Sequence, residues 1–114
     1  MMAMTKREFF KLNFYKVRDA FGDINYFCER EVVGNYSELQ ILSHLSKNEI
    51  DGFLHDIDYA LSSGVFPEVF IYSDGIGTDE VKIIPPNMII NNICTVSLVD
   101  MKALLLEWKE FINS

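Results

Sequence analysis

The chain has 114 residues, 49% hydrophobic and 24% charged, the balance of one folded domain with a single core rather than of a disordered chain. Its formal net charge is −7, a field that repels phosphate backbones and anionic membrane surfaces and suits a basic protein partner. No stretch approaches the ~20 apolar residues that span a bilayer, so neither a membrane protein nor a nucleic-acid binder is expected.

The N-terminal residues Lys6 and Arg7 lead into Phe9-Phe10, which is broken at once by Lys11 and Asn13. A secretion signal would continue apolar there, so a cytoplasmic location is expected. From Phe9 to Val17, Phe10, Leu12 and Phe14 alternate with polar residues, the period of a half-buried strand. A second aromatic run, Ile24 to Val32, follows the turn-like Ala20-Phe21-Gly22-Asp23. The two runs predict a hairpin; a helix over Lys6 to Ala20 is the rival. Glu38 to Leu45 has Leu39, Ile41 and Leu45 on one parity and predicts a further strand.

A helix is expected near 47–62. Ser46 and Glu49 form a capping box, and Ile50, Phe53, Leu54, Ile57 and Leu61 make one apolar stripe. Gly64 supplies a left-handed stop. Beyond Pro67 come β-rich runs at Val69–Tyr72, Val81–Ile84, Met88–Ile90 and Ile93–Val96. The loop Ser73–Asp79 and the turns Pro85-Pro86-Asn87 and Asn91-Asn92 separate them. A last helix near 98–112 is capped by Ser97 with Asp100, and buries Met101, Leu104, Leu105, Trp108 and Ile112. The predicted architecture is a single α+β domain over 1–114. An antiparallel sheet of about five or six strands, an ordinary sheet size, is covered by two amphipathic helices.

The residues that carry chemistry do not converge in the sequence. Gly75-Ile76-Gly77-Thr78-Asp79-Glu80 matches the calcium-loop string of annexins, but Pro85-Pro86 forbids the helix that must follow it there. Asp51, His55 and Asp58 share one helical flank without the His or Cys spacing of a metal centre. Cys28 and Cys94 read as buried thiols. Ser, His and Asp occur in no triad setting. No metal, no cofactor and no enzyme activity are expected.

The ending, Val96-Ser97-Leu98 followed by Met101, Leu104-Leu105, Trp108 and Phe111, resembles that of small immunity proteins of bacterial polymorphic-toxin and contact-dependent-inhibition systems. Such proteins are short, acidic, cytosolic and α+β. The resemblance implies tight binding and neutralisation of a cognate toxin domain, and it carries no shared binding motif. A regulatory or adaptor subunit is the second reading, and a small enzyme the third. For a basic partner, the acids outside the apolar stripes are the candidate contacts: Asp51 and Asp58 on the first long helix, and Asp74, Asp79 and Glu80 in and beside the glycine-rich loop.

Overall fold

A computed structural model describes residues 5–45, 47–64 and 80–113. The chain is α+β, with helix α1 (Lys6–Phe9), strands β1 (Leu12–Arg18) and β2 (Ile24–Arg30), a 3-10 helix (Asn35–His44), α2 (Lys47–Ser63), β3 (Val81–Ile84), β4 (Asn87–Ile90), β5 (Cys94–Ser97) and α3 (Leu98–Ile112). The expected hairpin over residues 9–32 is present, preceded by the single turn α1 instead of a longer helix. It turns on Gly22, whose φ of +85° is left-handed, and the Asp19 carboxylate accepts the backbone N–H groups of Phe21 and Asp23. Those hydrogen bonds, the one from Asp23 foremost, hold the Asp19 carboxyl below its usual range.

The expectation of one sheet and of a strand over Glu38–Leu45 needs correction. The described strands form two antiparallel sheets, a two-stranded β1-β2 and a three-stranded β3-β4-β5. Residues 38–44 belong to the 3-10 helix that runs from Asn35 to His44. Leu39, Leu42 and Leu45 are all buried, and their spacing of three is the repeat of a 3-10 helix. Reading Leu39, Ile41 and Leu45 as one parity hid that repeat. The β-rich run Val69–Tyr72 lies outside the described residues.

The two sheets share one apolar core with the helices. Among the described residues, the buried ones are all apolar. Phe10, Leu12, Phe14 and Cys28 face it from the hairpin, and Val81, Ile83, Met88, Ile90, Cys94 and Val96 from the second sheet. α2 contributes Ile50, Phe53, Ile57 and Ala60; α3 contributes Leu98, Met101, Leu104, Leu105 and Trp108. α2 stops and α3 starts as their sequences predict, while the expected Ser46 cap of α2 lies outside the described residues. Gly64, at φ +76°, returns its N–H to Ala60, and the Ser97 hydroxyl accepts the Asp100 N–H at 3.1 Å. Asn91, itself left-handed, ties three segments together. Its side-chain oxygen accepts the Glu80 N–H, and its amide donates to the Glu38 carboxylate on the 3-10 helix.

Candidate functional site

Asp51 and Asp58 stand seven residues apart on α2, and Lys102 and Lys109 stand seven apart on α3. The two helices pack antiparallel, so the spacings match. Asp51 meets Lys109 and Asp58 meets Lys102, each at 2.7 Å. Glu80 lies 3.4 Å from Lys82. These three candidate contacts are therefore brought against lysines of their own chain. Asp74 and Asp79 lie outside the described residues. Solvated pairs of this kind contribute about 0–1 kcal/mol each, so they orient the helices more than they hold them. The paired lysines also mute the negative surface that a basic partner would meet.

His55, between the two aspartates in sequence, is largely exposed and 3.6 Å from Asp56. Among the described residues no group of three or more His, Cys, Asp or Glu could hold a metal ion. The annexin-like string lies outside the described residues apart from Glu80. Cys28 and Cys94 are free and buried. Burial pushes the Cys28 thiol up to about 12 and the Cys94 thiol to about 11, so neither is a thiolate nucleophile near neutral pH. A further acid has a structural task that the sequence reading did not assign. Glu107 of α3 accepts the backbone N–H groups of Lys6 and Arg7, and the Lys6 side chain reaches Asp100 at 2.8 Å. Together these contacts fasten α1 along α3.

Charge is divided unevenly along the chain. Residues 1–30 carry six basic and four acidic side chains, a net +2, whereas residues 31–114 carry four basic and thirteen acidic, a net −9. The positive part includes the distal half of the hairpin. There Lys16, Val17, Arg18, Phe21, Ile24 and Asn25 are exposed, and Phe21 at the turn is 92% exposed. This stretch presents apolar side chains beside Lys16 and Arg18, while Asp19 and Asp23 at the turn balance their charge. Its outer face carries Tyr15 stacked on Phe27 at 5.2 Å. Tyr15 also donates to the Glu29 carboxylate, a hydrogen bond that raises its phenol above the usual range.

The hydrogen-bond parity of the hairpin leaves part of one edge open. Lys11 pairs with Glu31 and Asp19 with Asp23 through backbone hydrogen bonds. In an antiparallel ladder the bonded pairs alternate, so Asn13–Glu29, Tyr15–Phe27 and Val17–Asn25 are the bonded pairs between them. The N–H and C=O groups of Ile24, Tyr26, Cys28 and Arg30 therefore point away from β1. Side chains of the 3-10 helix satisfy both groups of Cys28 and the N–H of Arg30. Ser43 accepts the Cys28 N–H at 2.6 Å and donates to its carbonyl at 3.2 Å, and Gln40 accepts the Arg30 N–H at 2.8 Å.

Ile24 and Tyr26 lie beyond this cover. A cleft of about 270 Å³ opens beside them, walled by Ile24, Tyr26, Ser43, Leu45, Trp108 and Ile112. Trp108, 1% exposed, is the only described residue with a buried side-chain polar atom lacking a hydrogen-bond partner, its indole N–H. No family model, curated protein or solved structure matches this chain. No helix among the described residues is long and apolar enough to cross a membrane.

Proposed function

We propose that the chain is a non-catalytic protein-binding domain, an immunity protein that neutralises a cognate bacterial toxin domain by direct binding in the cytoplasm. The observation that carries this reading is the division of charge, with a net −9 over residues 31–114 and a net +2 over residues 1–30. An acidic body covers the basic surface with which a toxin grips nucleic acid by standing in for phosphate charge. The net-positive segment over residues 1–30 then fixes which way round the partner sits. The resemblance of the chain's ending to immunity proteins supports the same conclusion. A regulatory or adaptor subunit is the second reading. It draws on Phe21, an aromatic side chain held almost fully in solvent, which fits a protein contact of either kind.

The test uses the reading frame immediately upstream of the gene. Induced alone, that frame is expected to arrest growth, and co-expression of this chain is expected to restore it and yield a stoichiometric complex. A toxic neighbour that is neither bound nor neutralised by the folded chain would exclude the immunity reading for that pair. Capture of a harmless neighbour, without any toxicity to relieve, would favour the adaptor reading.

A further inference from the structure

The open stretch of the β2 edge has the chemistry to receive one more strand, and we infer that it takes an extended, acidic segment of a partner protein. This rests on the protein-binding reading and not on the partner's being a toxin. Ile24 and Tyr26 present two N–H donors and two C=O acceptors at the two-residue spacing of a β-ladder, unpaired among the described residues. Groups at that spacing are complemented by the backbone of another extended chain. Exposed edges are ordinarily blunted. Here Gln40 and Ser43 blunt the edge at Arg30 and Cys28 and stop short of Tyr26.

Side chains of an added strand alternate across its faces, so one of them enters the cleft beside Ile24 and Tyr26. The aliphatic walls at Ile24, Leu45 and Ile112 suit an apolar body.

Charge selects the sign of the flanking residues. Lys16 and Arg18 sit opposite Tyr26 and Ile24 in the hairpin register, hence on the same face as the cleft. Neither is ion-paired among the described residues. Carboxylates on the incoming segment complement them. A second copy of this chain fits poorly, since the stretch of β2 that two-fold pairing would bring in, Ile24-Asn25-Tyr26, carries no carboxylate.

The probe is a synthetic library of ten-residue peptides passed over the immobilised full chain. Enriched peptides are expected to place carboxylates on either side of an aromatic or aliphatic residue. Their binding should slow amide exchange at Ile24 and Tyr26 by at least about tenfold. Backbone N-methylation of the peptide, or Ile24→Pro in the chain, should weaken binding by at least about tenfold, since each removes an edge donor. Ile24→Ala keeps the N–H and should weaken it less. Circular dichroism checks the folding of the proline variant, and the N-methylated peptide carries the test without it. No enrichment, enrichment of basic peptides, indifference to N-methylation, or protection of Ile24 and Tyr26 by dimerisation of the free chain would each overturn the proposal. An upstream partner that binds the folded Ile24→Pro chain with unchanged affinity would remove strand addition and leave the protein-binding reading standing.

Discussion

Trp108→Ala is expected to lower stability by about 3–5 kcal/mol, the usual cost of truncating a buried aromatic to alanine. Trp108 is 1% exposed. It meets Phe14 edge-on at 5.0 Å and Phe111 at 5.7 Å, and so joins the hairpin to α3. The total stability of a small domain is about 5–15 kcal/mol, so the loss is a large share of it. The urea midpoint should fall by more than about 1 M at ordinary denaturant slopes. Trp108→Phe should cost less, because it keeps a ring in place and deletes the unpaired indole N–H along with the lost volume. Because Trp108 is the only tryptophan, blue-shifted emission of the native parent is the companion observation. A midpoint unchanged in the alanine variant would mean that Trp108 does not knit the core.

A second large effect is expected on the alkaline side. Burial disfavours the thiolate at Cys28, whose pKa rises to about 12, and at Cys94, whose pKa rises to about 11, from the ordinary value of 9.0. Above the ordinary value the unfolded chain releases both protons while the folded chain keeps them. Unfolding is then favoured as pH rises. Each thiol contributes a loss of up to about 1.4 kcal/mol per pH unit while its two states differ. Both act between the ordinary value and about 11, and Cys28 alone acts from there to about 12. The exposed Tyr15 phenol adds a small effect of the same sign. Denaturant titrations from pH 8 upward should show this slope, and the Cys28→Ala/Cys94→Ala chain should lose most of it. An equal slope in parent and variant would mean that the thiols ionise as freely in the folded chain as in the unfolded one.

The elements whose signals are local were legible in the sequence. Ser97 with Asp100, and the stripe from Met101 to Ile112, specify α3 with the bounds it has, because capping and helical periodicity act within a few residues. The hairpin was legible for the same reason, in the alternation of Phe10, Leu12 and Phe14 around the Gly22 turn. The 3-10 helix was misread because Leu39 and Ile41 share a parity, while the repeat through Leu39, Leu42 and Leu45 reports the true period. The pairing of Asp51 and Asp58 with Lys109 and Lys102 left a trace in the matching seven-residue spacings. That trace becomes informative only once the two helices are known to run antiparallel. The open edge at Ile24 and Tyr26 left none. It depends on which residues of the hairpin bond to each other and on where Ser43 and Gln40 end, and both are long-range facts of the fold.

The most direct measurement is a titration of the purified chain into the purified product of the upstream reading frame, with the nuclease or other toxic activity of that product as the readout. The activity should fall linearly and vanish near one equivalent. Raising the salt should slow association with little change in the folded chain, as charge-steered capture requires. Full activity in the presence of a large excess of folded chain would contradict the immunity reading.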